Sequence, residues 1–221
     1  TESVIQEGDY VDRVSELLGR RGIECIVSTE LSPGASAAVV DDICALARAG
    51  KAQVVIGMGG MRCLQTAFAC SLLISGTSKV EELLAGERLS NEPLPYIEVP
   101  AACRNHFMMQ ERCILTDDES RYPVLIQSEK KCAKSIFLDP GIAQSLSEKY
   151  MAAVLLDIML ADIEGYLSEK AGFFSDGLFL ESLRISYNAL QGFTLAKSDL
   201  DFYELACQAG LLAGLGLSVS S

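Results

Sequence analysis

The sequence predicts an α/β domain built on a parallel sheet, Rossmann-like and of nucleotide-binding type, followed by an all-helical domain. Three observations carry this expectation. Strand-like apolar runs alternate with segments of helical periodicity over residues 1–139. The stretch "VVIGMGGMRCLQTAFACSLL", residues 54–73, passes from a strand through a glycine turn into a helix. From residue 141 onward every periodic segment is helical, over 147–168, 175–190 and 199 to about 217. The boundary therefore falls near Asp139 and Pro140, giving domains 1–139 and 140–221.

Taken in order, "DYVDRVSELLGRR" places Val11, Val14, Leu17 and Leu18 on one face of a helix that ends at Gly22. "IECIVS", residues 23–28, reads as a short strand. Pro33 and Gly34 make a turn, after which Val39, Val40, Ile43, Cys44 and Ala47 repeat at helical spacing up to Gly50. "AQVVIG" is an unbroken apolar run, the pattern of a strand buried on both faces. Beyond the glycine turn, Leu64, Ala67, Phe68 and Leu72 form the next helical stripe, and "LPYIEVP" is a strand closed by Pro100. "RCILTDDESRYPVLIQS" is two β-rich runs around a polar turn, a hairpin at about residues 110–128, with Asp117, Asp118 and Glu119 as solvated turn residues. "SIFLDP" is one more short strand, stopped by Pro140. The α/β part opens on a helix instead of a strand, and the chain stops just after an apolar helix, so both ends read as cut from something longer.

Composition narrows the function classes. The chain has 221 residues, 49% apolar and 22% charged, with a mean hydropathy of +0.25. That is the apolar end of ordinary globular proteins, and some of the excess is expected to cover an interface. The longest apolar stretches are broken by charge or glycine within about a dozen residues, short of the roughly 20 that a membrane span needs, so the chain reads as soluble. A net charge of −12 argues against nucleic acid and anionic lipid as partners, since both demand a positive footprint. Lys130, Lys131 and Lys134 form the one basic cluster, read as solvated surface. The eight cysteines, Cys25, Cys44, Cys63, Cys70, Cys103, Cys113, Cys132 and Cys207, form no C-x-x-C pair and lie in mostly apolar runs behind no secretory leader. They read as reduced, buried thiols in a cytoplasm.

Three places could carry chemistry. At the glycine turn, Gly57, Gly59 and Gly60 let backbone N–H groups close on an anion at a helix start, where the helix dipole is positive. The spacing is neither the dinucleotide G-x-G-x-x-G nor a P-loop, so a nucleotide site and a plain tight turn both fit. Asp157 interrupts an otherwise apolar helix and shares a face with Ala161 and Glu164. An acidic pair meeting a cation and a helix face turned partly to water both fit. His106 is the only histidine, which excludes a multi-histidine metal site within one chain. Cys103, beside Arg104 and near His106, is the thiol whose neighbours would lower its pKa, so a nucleophile and an inert cysteine both fit there.

Together these segments resemble the iron-containing alcohol dehydrogenase family, whose wider group includes glycerol dehydrogenases and dehydroquinate synthases. "GDYVDRVSELLGRRGIE" is similar to that family's first helix, and "ELSPGASAAVVDDICALARAGKAQVVIGMGG" to its Asn-Pro loop, second helix and strand into a Gly-Gly-Gly-Ser turn. "LPYIEVPAA" resembles its Ile-Pro-Thr-Thr stretch, "CILTDDESRYPV" its Val-Ile-Thr-Asp hairpin, and "SIFLDPGIAQSLSEKYMAAVLLDIMLADIEGYLS" its Asp-Pro-Glu segment and Gly-Met-Asp-Ala-Leu-Thr-His-Ala-Ile-Glu-Ala-Tyr helix. The resemblance implies an incomplete dehydroquinate synthase-like fold, with hydride transfer between an alcohol and NAD or NADP assisted by Fe2+ or Zn2+. It assigns cofactor contacts to Gly57, Gly59, Gly60, Arg62, Thr66, Ala101 and Ala102, and a metal ligand to Asp157.

The departures lie at those same positions. The family's third glycine and serine are Met61 and Arg62, its aspartate is Gln65 and its lysine is Phe68. Its paired threonines are Ala101 and Ala102, and the histidine four residues after Asp157 is Ala161. Two further histidine ligands would belong to segments beyond Ser221. Truncation accounts for those two but not for Met61, Phe68, Ala101, Ala102 or Ala161. The expectation is therefore a weak or inactive alcohol dehydrogenase, with bound metal not expected; the alternative is a pseudoenzyme that binds a nucleotide or assembles with copies of itself or a partner protein.

Overall fold

The computed structural model describes residues 9–29, 36–102, 104, 106–132, 134–195 and 200–220. Two compact units account for them: Thr1–Val99 with Glu111–Phe137, and Pro100–Gln110 with Leu138–Ser221. The second unit thus takes up residues 100–110, which the sequence pattern assigns to the α/β part.

The first unit contains α1 (Tyr10–Gly19), α2 (Ala37–Ala49), β1 (Val55–Gly59), α3 (Met61–Leu73), α4 (Val80–Leu84), β2 (Tyr96–Pro100), β3 (Arg112–Thr116), β4 (Pro123–Gln127) and β5 (Lys134–Ile136). The sheet runs β1-β2-β5, with β2 and β5 parallel in the register Tyr96↔Lys134 and Glu98↔Ile136. β3 and β4 form an antiparallel hairpin from Arg112↔Gln127 to Thr116↔Pro123. Helix α3 is its centre. Ten of its thirteen residues are buried, packed with Val40 and Cys44 of α2, Tyr96 of β2 and Cys113 and Leu115 of β3. Arg48 of α2 donates to the carbonyls of Leu73 at 2.8 Å and Ile74 at 3.3 Å, setting a cation at the C-terminal end of α3, where the dipole favours one.

Several expectations need correction here. Residues 23–29 form no strand, and Ile23, Ile26 and Val27 are about half exposed, because an apolar run becomes a strand only where a neighbour takes its backbone groups. β1 is buried only from Gly57 onward; Ile56 is exposed, since β1 lies at one end of the strand order. Leu17, assigned to the inner face of α1, is exposed. The lysine cluster is only partly solvated: Lys134 is partly buried, 4.0 Å from Glu98, and Lys130 Nζ donates to Ser90 O, Asn91 O and Glu92 Oε1. Asp118 is more than a turn residue, because its carboxylate accepts from Ala38 N at 2.8 Å and so caps the start of α2. Cys25 is exposed, whereas Cys44, Cys63, Cys70, Cys113, Cys132 and Cys207 are buried.

The second unit holds α5 (Pro140–Ala143), α6 (Glu148–Tyr166), α7 (Phe173–Leu195) and α8 (Leu200–Val219). Asp139 accepts from Gly141 N at 2.8 Å ahead of Pro140, and the Ser147 hydroxyl accepts from Tyr150 N at the start of α6, so α5 and α6 both begin on a capping side chain. The three long helices pack on Met151, Leu155, Ile158, Ala206, Ala209 and Ala213. Phe179 of α7 is fully buried, and a methyl group at Gly165 of α6 or Gly216 of α8 would overlap its ring. By length and composition α8 could cross a membrane, contrary to the sequence reading, but half of that stretch is buried within the fold. The apolar "AGLLAGLGL" run, the expected interface, lies in α8 with Ala209, Gly210, Ala213, Gly214 and Gly216 buried.

Candidate functional site

In the α/β unit the glycine turn is built by three different constraints. A Cβ on Gly57 would come 2.8 Å from both Ala67 Cβ and Tyr96 Oη, so the strand can lie this close to α3 and β2 only as glycine. Gly59 has a φ of 152°, a conformation that L side chains avoid. Gly60 precedes α3 in extended conformation, and the helix start carries no side-chain cap among the described residues, the kind of helix end at which an anion is favoured. The Cys63 thiol donates to Met58 O at 3.3 Å across the turn. Met61 is half-buried, and Arg62 stands exposed at the second helical position, in no ion pair with the described residues. Thr66 is buried, with its hydroxyl oxygen unpaired among them.

Two family departures in α3 have acquired structural work. The Gln65 side-chain oxygen accepts from Ile114 N at 2.8 Å and so ties the hairpin to the helix. Phe68 is buried edge-on to Tyr96 with ring centroids 5.8 Å apart. Lys134 Nζ lies 4.6 Å from the Phe68 centroid, a cation–π arrangement. A charge thus returns to this region on β5, where the sequence pattern showed only a surface cluster. Burial, and the nearby Glu98 carboxylate after it, push the Tyr96 hydroxyl well above its usual pKa.

In the helical unit, Ala101 and Ala102 are buried and offer no side-chain donor. Asp157 is held from both sides. Arg104 Nη2 donates to its Oδ1 at 3.0 Å and Arg104 Nε to its Oδ2 at 2.5 Å. His106 Nε2 lies 3.2 Å from the same Oδ2. The hydrogen bonds to Asp157 raise the pKa of Arg104 above its ordinary value. Ala161 contributes nothing one turn on, and Glu164 is exposed. Of the two readings open for this face, an acidic pair with Glu164 does not form; Asp157 sits instead in an Arg–Asp–His cluster, whose signal in the sequence was Arg104 and His106 close to Cys103. Cys103 itself lies outside the described residues. Among the described residues no group of three or more His, Cys, Asp or Glu side chains could hold a metal ion, and both oxygens of Asp157 are engaged, so these residues do not fit an Fe2+ or Zn2+ centre.

One buried acid escaped sequence reasoning. Asp162 is fully buried with neither carboxylate oxygen hydrogen-bonded among the described residues. Burial pushes its pKa up to about 7. The nearby Ser182 hydroxyl, which donates to Ala209 O at 3.0 Å, offsets this only in part.

Comparison with known proteins gives the same lineage. The long-chain-alcohol dehydrogenase 1 of Geobacillus thermodenitrificans is 25% identical over 218 residues, covering 97% of this chain and 55% of that protein. The lactaldehyde reductase of Escherichia coli is 22% identical over 221 residues, covering 99% of this chain and 57% of that one. The fold matches the sulfoacetaldehyde reductase of Bifidobacterium kashiwanohense, solved in complex with NAD+, with a TM-score of 0.86 at 20% identity over 96% of this chain and 56% of that one. The chain spans about half the length of the curated relatives it matches. The sequence profile described as iron-containing alcohol dehydrogenase matches residues 1–140, well over half of the chain, and with the βα turn and the helical unit behind it, the chain belongs to the iron-containing alcohol dehydrogenase family.

Proposed function

We propose that this chain binds a nicotinamide dinucleotide, NAD or NADP, at the turn from Gly57 to Arg62, and that its alcohol dehydrogenase activity is weak or absent. The observation that carries the binding reading is the uncapped start of α3 behind Gly59, with Arg62 exposed and in no ion pair with the described residues. The helix N–H groups and the guanidinium would meet a pyrophosphate from two sides, and Arg62 would restore charge that Met61 cannot offer. When bound, the nicotinamide would supply a hydride acceptor. The departures at Ala101, Ala102 and Ala161 support the low activity. The free thiols support a reducing, cytoplasmic location.

Isothermal titration with NAD+ and NADH tests the binding. Micromolar affinity in the unmodified chain, weakened about tenfold in Arg62→Ala, equivalent to about 1.4 kcal/mol, is the expected result. No heat at millimolar cofactor would leave the turn as a turn. In that case the second reading stands, a self-assembly or interaction role. It is supported by the exposed stripe Leu156, Leu160 and Ile163 along α6, continued by Leu167 just past its end.

A further inference from the structure

We infer that in this chain the guanidinium of Arg104 takes the place of the divalent ion that the family resemblance assigns to Asp157: Asp157 holds a resident organic cation and does not ligate metal. This rests on the helical unit alone and stands or falls independently of nucleotide binding.

Geometry carries the argument. A divalent ion needs a lone pair of Asp157 and two or three further nitrogen or oxygen donors at about 2 Å. Arg104 approaches with Nε and Nη2 side by side, one on each carboxylate oxygen, which is the fork geometry that matches a carboxylate edge. His106 takes a further position on Oδ2. The helix offers nothing at the next turn, where Ala161 has no donor. An incoming ion would have to lift the guanidinium away and then lie within a few ångström of a charge that cannot be neutralised, because arginine keeps its proton. Solvent reaches the cluster, with Asp157 30% and Arg104 41% exposed, so the two-point fork and not burial is what maintains it. His106 keeps a carboxylate partner of the kind that orients a metal-bound histidine elsewhere, but here that carboxylate is itself spoken for.

The first test uses the unmodified chain. After incubation with Zn2+ or Fe2+ and desalting, elemental analysis is expected to find no stoichiometric metal. One equivalent that is lost in Asp157→Asn would overturn the inference. The second reads the ion pair directly. In a 15N-labelled sample the Arg104 Nε–H resonance is expected to be protected from exchange and to lose that protection in Asp157→Asn, while an Nε–H indifferent to that substitution would also overturn it. The third asks for gain of function in Arg104→Ala/Ala161→His, which removes the fork and adds an imidazole one helical turn from Asp157, which His106 already contacts. Its affinity for Co2+, read from the visible absorption of the bound ion, should rise about a hundredfold over the unmodified chain, as three protein donors replace one. A folded double variant that takes up no more Co2+ than the unmodified chain would show that Arg104 is not what excludes the metal.

Discussion

Near the C-terminal end of α6, Asp162 is fully buried, and both its oxygens lack hydrogen bonds among the described residues. Its pKa in the fold, about 7, lies well above the roughly 3.9 of an aspartate in an unfolded chain. The folded state therefore keeps a proton that the unfolded state loses between about pH 4 and 7. Stability falls as pH rises through that window and is flat above it, by an amount on the order of 2–4 kcal/mol. Asp162→Asn should raise the melting temperature at pH 8, with the gain shrinking towards pH 4; a pH series of thermal scans on both proteins measures it. The same residue-scale logic separates Arg62 from Arg104. One is exposed and in no ion pair with the described residues, whereas the other is committed to Asp157.

Among the elements, two junctions set the architecture. In the sheet, β2 and β5 meet where Lys134 lies against Phe68 and Tyr96 and 4.0 Å from the buried Glu98. Removing one member of such a pair leaves an uncompensated buried charge, so Lys134→Met should cost about 3 kcal/mol, and Glu98→Gln in the same chain should recover part of it. Urea denaturation of the two single variants and the double variant measures the coupling. In the helical unit, α6 and α8 both bring glycine to the Phe179 ring. Overpacking by Gly165→Ala should cost about 1–3 kcal/mol, and emptying the site by Phe179→Ala about 3–5 kcal/mol. A shift of the urea midpoint in that order checks that the ring, and not helix propensity, governs the packing, because alanine would otherwise stabilise a helix.

At the scale of the whole molecule, the exposed stripe of α6 leads us to expect self-association. Leu160, 66% exposed, is the more exposed of its two central members, and Leu160→Glu should lower the sedimentation coefficient at micromolar concentration with the fold intact by circular dichroism. What the sequence determined by itself is the order of elements. The βα turn, the hairpin around Asp117 and the three long helices are all legible, because apolar periodicity, glycine and proline act between residues a few positions apart. The glycine positions of the turn were legible for the same reason. Tertiary structure alone decided which charges meet and which faces are covered. Arg104 and Asp157 pair across 53 positions, and Lys134 leaves an apparent surface cluster to join Glu98 and Phe68. Asp162 turns inward although the next residue, Ile163, belongs to an exposed stripe, while Ile23 and Ile26 stay at the surface despite their strand-like pattern. Such outcomes depend on what each face finds opposite it once the chain has folded. Local periodicity carries no record of that partner, because the contact that settles burial or charge pairing is made by a residue far away along the chain.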